Sequence, residues 1–177
     1  QKILGITYIN SNNEFKFTGY DHPLPANMIE RPDFSILEKD NSINHYIYEG
    51  SRKLQHYTED YNANENLNHT TLIVAKGCVA RCTFCHRFEK GYRVSPTESI
   101  VSHLKMLQKK YNIGSIAISD ENFGSYKEET KKLVKEFGSM GLKWQAAGVR
   151  AHTIDLDTLK LWKSNGCYSI LFGIESG

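Results

Sequence analysis

Three of the chain's four cysteines fall within eight residues, in Gly77-Cys78-Val79-Ala80-Arg81-Cys82-Thr83-Phe84-Cys85-His86. Thiolates spaced C-x3-C-x2-C are soft ligands, and a loop of that length can wrap them around one corner of a 4Fe–4S cube, leaving the fourth iron without a protein ligand. Such an iron is an open coordination site. Zinc in the same loop would ask for a complete tetrahedral shell, with His86 or the distant Cys167 as its fourth partner. Packed structural cysteines are the third option, because positions 78, 82 and 85 would share one face of a helix. Gly77, directly after a strand pattern, argues against a helix there. Four cysteines in 177 residues are too few for a disulfide scaffold. Metal or cluster binding is therefore the use that the spacing supports, while Cys167, at the start of an apolar strand, reads as a core thiol.

The elements that must carry this loop begin at Thr71, where short apolar strands start to alternate with amphipathic helices, the pattern of βαβ units and a parallel sheet. The first strand is read as Thr71–Ala75. Ser95-Pro96-Thr97-Glu98 reads as a capping box with proline at the first helical position. The helix that follows carries Ile100, Val101, Leu104, Leu107 and Tyr111 on one face. A second strand, Ser115–Ile118, precedes another such start at Ser125–Glu128 and a helix with Leu133, Val134, Phe137 and Met140 on its buried stripe. A third strand spans about Lys143–Val149. A third helix runs from near Asp155 through Leu156, Leu159 and Trp162 to Asn165-Gly166, and a fourth strand spans Tyr168–Ile174. The fold class is α/β: about four parallel strands with helices, either a small open sheet or half of a barrel, since a complete (β/α)8 barrel takes about 250 residues. The opening Gln1 and the stop at Gly177 point to a piece of a longer protein.

Residues 1–70 have a different texture. ILGITYI and EFKF flank Asn10-Ser11-Asn12-Asn13 and read as a β-hairpin. From Tyr20 to His69 no period is sustained, and TEDYNANENLN reads as a surface linker. Composition is ordinary for a globular chain: 40% hydrophobic, 11% aromatic, 24% charged, net +2. That charge implies no nucleic-acid or membrane surface. No apolar run reaches the roughly 18 residues of a membrane span, and no signal-peptide pattern opens the chain, so a cytoplasmic location is expected. Between Lys76 and Lys110 basic residues outnumber Glu89 and Glu98, which solvated helix and loop faces explain.

C-x3-C-x2-C with an aromatic residue before the third cysteine, after the first strand of a parallel α/β array, resembles the radical S-adenosylmethionine (SAM) enzymes. Ser119-Asp120-Glu121-Asn122-Phe123 and Gly173-Ile174-Glu175-Ser176-Gly177 resemble motifs at the ends of strands two and four in that family, so the likeness covers residues 71–177. It implies the N-terminal half of a radical SAM barrel, preceded by an irregular extension with a hairpin over residues 1–70. It further implies a 4Fe–4S cluster on Cys78, Cys82 and Cys85, and SAM bound to the open iron and reductively cleaved, usually to a 5′-deoxyadenosyl radical. An electron donor such as flavodoxin or ferredoxin is the implied partner, with an unnamed substrate and no membrane. By the same resemblance Phe84 lies against the adenine. Asp120, Arg150, Glu175 and Ser176, at predicted strand ends, are further candidates for SAM contact: Arg150 toward the carboxylate, Asp120 and Glu175 toward the amino group or ribose. For these residues ordinary loop capping or a solvated charge is the competing reading, as exposure is for His86 and His152. No catalytic residue is assigned.

ILGITYINSNNEFKF followed by DHPLPANMIERPDFSIL resembles the exit of a cobalamin-binding domain in the cobalamin-dependent subgroup. The ligating Asp-x-His-x-x-Gly loop is absent here, since Asp21-His22-Pro23 has the wrong spacing, so any cobalamin would be bound by an upstream domain. Methyl transfer is the chemistry this subgroup implies first, with ring closure or rearrangement in some relatives. The methylthiotransferase branch carries an extra cysteine-bearing domain ahead of its radical motif, and residues 1–77 contain no cysteine. The alternative from another class is a zinc-stabilised module that binds nucleic acid or protein without catalysis.

Overall fold

The computed structural model describes residues 3–29, 31–49, 68–86 and 91–174. The expected hairpin forms from β1 (Thr7–Ile9) and β2 (Phe15–Phe17), paired antiparallel with Thr7 opposite Phe17. Its turn is built on Asn10, whose side-chain oxygen accepts from the Asn12 and Glu14 amides, and on Asn13, which takes the left-handed conformation at φ 60° that asparagine tolerates. Both strands are exposed along their length.

Residues 31–49, for which the sequence shows no sustained period, fold into helical turns against the main core. They comprise α1 (Ser35–Glu38), α2 (Ser42–Asn44) and a π-helical turn, His45–Glu49. Ile43 and Ile47 are buried in the core cluster. Phe34 meets Tyr111 edge-on at 6.0 Å, and Glu38 accepts from the Tyr111 hydroxyl at 2.7 Å. The anchors are few and widely spaced, so no regular pattern announces them.

The main sheet has four strands in the order β3 (Asn68–Leu72), β6 (Ile113–Ile118), β7 (Lys143–Val149), β8 (Cys167–Phe172), every neighbouring pair parallel. Crossover helices α3 (Thr97–Tyr111), α4 (Lys127–Ser139) and α5 (Leu156–Ser164) connect them. Strand order follows chain order, and α3 touches α4 as α4 touches α5, the arrangement that right-handed crossovers lay down on one side of a sheet. β6 is buried at all six positions, as a strand covered on both faces must be. The core joins the inner faces of α3 and α4, with Ile100, Leu104, Leu107, Leu133, Val134 and Phe137, to Phe123, Trp144 and Trp162. Trp144 and Trp162 lie 5.4 Å apart, and Phe123 sits 5.2 Å from Trp162.

The first expected strand is corrected. The parallel strand starts and ends three residues earlier, and after Leu72 the chain leaves the sheet to form a separate antiparallel ribbon of β4 (Ala75–Gly77) and β5 (Tyr92–Val94). The apolar run Leu72–Ala75 reads as one strand because Leu72, Val74 and Ala75 are buried on both sides of the break, with only Ile73 exposed between them. The expected starts of the first two helices are also corrected. Pro96 rather than Ser95 occupies the N-cap of α3, Tyr126 that of α4, and neither helix has a side-chain cap. Ser95 is instead buried, its amide donating to the Val74 carbonyl at 2.9 Å. The third start holds: Asp155 caps α5 by accepting from the Thr158 amide at 2.8 Å.

Candidate iron–sulfur site

The cysteine loop leaves β4 at Gly77, which takes φ 80°, and returns along β5. Two side chains fasten its root at the carboxyl edge of the sheet. The Arg31 guanidinium donates Nη1 to the Ile73 carbonyl at 2.6 Å. The Asp120 carboxylate accepts from the Val74 amide at 2.8 Å and from the Ala75 amide at 3.0 Å. These are the backbone groups that lose their ladder partners where the chain departs from β3, and buried backbone groups must be paired somewhere. Burial pushes the Asp120 carboxyl up to about 7 against the two amides and Arg31, which pull it down. Tyr92, opposite Gly77, has its phenol pushed up chiefly by burial, and further by the negative charges of Asp120 and Cys78.

Cys78 is half-buried, and its Sγ accepts from the Ala80 amide at 3.4 Å and from Asn122 Nδ2 at 3.2 Å. Cys82 and Cys85 are exposed on a turn closed by the Cys85 amide donating to the Cys82 carbonyl at 3.2 Å. All three are free thiols. They do not converge: among the described residues no three His, Cys, Asp or Glu side chains are grouped to hold a metal ion. The donor set nevertheless fits a cluster. It offers three soft ligands on one short loop, two of them exposed, and the first already receives two N–H donors of the kind that stabilise a metal-bound sulfur. A zinc shell completed by Cys167 does not fit. That thiol is in the core at the opposite end of the sheet from the loop, pushed up to about 11 by burial, with its sulfur toward the Ser169 carbonyl.

The other expected contacts fall as follows. Phe84 is 68% exposed on the cysteine loop, open to a planar ligand. Both oxygens of Asp120 accept from main-chain amides, so its carboxylate secures the loop's root. Arg150 stands half-buried at the end of β7, its carbonyl accepting from the Thr153 amide and hydroxyl. His152 is exposed in the following 3-10 turn and His86 in the cysteine loop. Glu175 and Ser176 lie outside the described residues.

Asn122, Arg31 and Tyr92 are the site residues that sequence reasoning missed. Asn122 stands inside the motif at the end of strand two, where a polar residue between Asp120 and Phe123 is the available signal. Arg31 and Tyr92 carry none.

No family model matches the chain. It is 29% identical over 111 residues to an uncharacterized methyltransferase, PH0819, of Pyrococcus horikoshii, covering 59% of this chain and 24% of that protein. It is 23% identical over 110 residues to the anaerobic magnesium-protoporphyrin IX monomethyl ester cyclase of Rubrivivax gelatinosus, covering 58% of this chain and 19% of the cyclase. Its fold matches the radical SAM methyltransferase TsrM from Kitasatospora setae. The TsrM structure with cobalamin and 4Fe–4S cluster bound superposes with a TM-score of 0.53 at 17% identity, over 62% of this chain and 23% of TsrM. The structure with tryptophan substrate and the SAM analogue aza-SAM gives 0.54 at 18% identity, over 60% and 22%. The chain thus spans about a quarter or less of the length of each relative. With its four parallel strands, crossover helices and N-terminal hairpin, the chain is a partial radical SAM fold.

Proposed function

We propose that this chain is the part of a radical SAM enzyme that holds a 4Fe–4S cluster through Cys78, Cys82 and Cys85, and that the whole protein catalyses methyl transfer or a related radical modification. The observation that carries the reading is the placement of three free thiols on one loop at the carboxyl edge of a parallel sheet, where strand ends converge on active sites, in a chain with the TsrM fold. The relatives named a methyltransferase and a cyclase support the reaction class. We propose residues 1–70 as the extension and 71–177 as the first half of the barrel, with cobalamin, where used, bound outside this chain.

A bound cluster, once reduced by a donor such as flavodoxin or ferredoxin, supplies the electron that breaks a carbon–sulfur bond of SAM. The chain's own residues prepare the place. Asp120 and Arg31 hold the root of the loop against the ends of β3 and β6. The Ala80 amide and Asn122 Nδ2 meet the first ligand sulfur. Phe84 offers an exposed ring for adenine to stack on, Arg150 a guanidinium for the SAM carboxylate and Asp120 remaining carboxylate lone pairs for its amino group or ribose, with Glu175 and Ser176 as further contacts from the chain after β8.

Anaerobic reconstitution with iron and sulfide tests this reading. The wild-type chain is expected to take up a full cluster with broad visible absorbance that dithionite bleaches. Replacing Cys78, Cys82 or Cys85 by alanine should abolish it, and Cys167→Ala should leave it intact. Stoichiometric zinc in a colourless protein, or iron uptake indifferent to the three substitutions, would overturn it.

A further inference from the structure

Asn122 is fully buried, 0% exposed, and both ends of its side-chain amide are committed. Nδ2 donates to Cys78 Sγ at 3.2 Å and Oδ1 accepts from the Ser125 hydroxyl. A neutral thiol is a weak acceptor, and taking an amide out of water for it alone is a poor exchange; a thiolate, carrying charge, is a strong one. The residue is also fixed from both sides. Asp120 is tied to the Val74 and Ala75 amides. Phe123 donates its amide to the Gly148 carbonyl at 3.1 Å and packs its ring against Trp144 and Trp162. Ser125, by donating to Oδ1, supports the orientation in which Nδ2 faces the sulfur. The segment therefore aims one N–H at one cysteine with little freedom to turn away.

From this juxtaposition we infer that Asn122 is a positioning residue whose amide donates to the Cys78 thiolate as a cluster ligand, raising the cluster's reduction potential. The inference rests on the cluster reading above. Reduction adds one electron, and part of the added charge resides on the ligand sulfurs. A fixed N–H dipole pointing at Cys78 stabilises the reduced form more than the oxidised one, because hydrogen bonds to the sulfurs are among the determinants of potential. Ser125 acts one step further out, by holding the amide in its donating orientation.

The test uses the full chain, reconstituted anaerobically, with iron and sulfide measured first and the midpoint potential then taken by redox titration followed by electron paramagnetic resonance. Asn122→Leu keeps similar volume and removes the donor; Ser125→Ala keeps the donor and releases its orientation. Asn122→Leu should load its cluster and make reduction about tenfold less favourable, equivalent to about 59 mV more negative for a one-electron couple. Ser125→Ala should shift the same way by less. Unchanged potentials in loaded variants overturn the inference, including when a lowered melting temperature shows that Asn122 matters only for packing. If Asn122→Leu fails to fold, Ser125→Ala decides by itself. Failure of the wild-type chain to take up iron and sulfide would instead bring down the cluster reading, and this inference with it.

Discussion

His69 shows how far burial alone can set a residue's chemistry. It lies within β3, its Nδ1 3.0 Å from the Ser115 hydroxyl on β6, and burial pushes its pKa down to about 4. The folded protein keeps the ring neutral while the unfolded chain protonates it near 6.5, so between those values the unfolded state binds more protons and stability rises with pH. His69 is thus expected to contribute its full share of stability above about pH 6.5 and to lose up to about 3 kcal/mol as pH falls through about 4. Asp120 has the opposite sign: with its carboxyl raised to about 7, its contribution is present at low pH and lost as pH rises through that value. Urea unfolding of wild type and His69→Gln across the acidic range isolates the histidine as the difference between two curves. A difference that does not vary with pH would contradict the assignment. At this scale the cysteines were legible because their spacing is itself the signal. Asn122 and Arg31 were not, because their roles depend on which strand end lies beside which, and that is decided by sheet order.

Strands and helices were easier to read than the connections between them. Amphipathic spacing in α3 and α4 located their buried faces, and β7 has the expected bounds, because those patterns are local. The chain's departure from the sheet after Leu72 left no local trace; it is enforced by Asp120 and Arg31 from distant parts of the sequence. Glycine marks two of the close approaches. Gly148 takes φ 70°, and a Cβ there would run into the Asp120 carbonyl; Gly166, at φ 93°, would meet the Leu142 carbonyl. Gly148→Ala is therefore expected to cost more than about 2 kcal/mol, combining left-handed strain with the collision. It should also displace the segment carrying Asn122, since Phe123 is anchored on the Gly148 carbonyl. Chemical denaturation measures the first effect and cluster loading the second. A fully stable Gly148→Ala protein with normal iron content would show that this approach does not position the site.

At the scale of the molecule, one core joins Ile43 and Ile47 to the buried residues of the sheet and of α3 and α4. Leu104, at 0% exposure, is central to it, so Leu104→Ala is expected to lower stability by about 2–5 kcal/mol while leaving the cysteine loop's own contacts unchanged. A loss under about 1 kcal/mol would mean that α3 does not pack as described. The core supports the carboxyl edge of the sheet, where the loop, the Asp120 clamp and Asn122 come together. The sequence alone pointed to that edge through strand alternation and the cysteine spacing. Three thiols here are proposed to hold a cluster with one iron open to SAM. Electron paramagnetic resonance of the reduced, reconstituted chain, recorded with and without SAM, decides whether they do. A reduced-cluster signal should change shape when SAM is added and disappear in the Cys78→Ala protein; a signal indifferent to SAM, or none at all, would overturn the cluster reading.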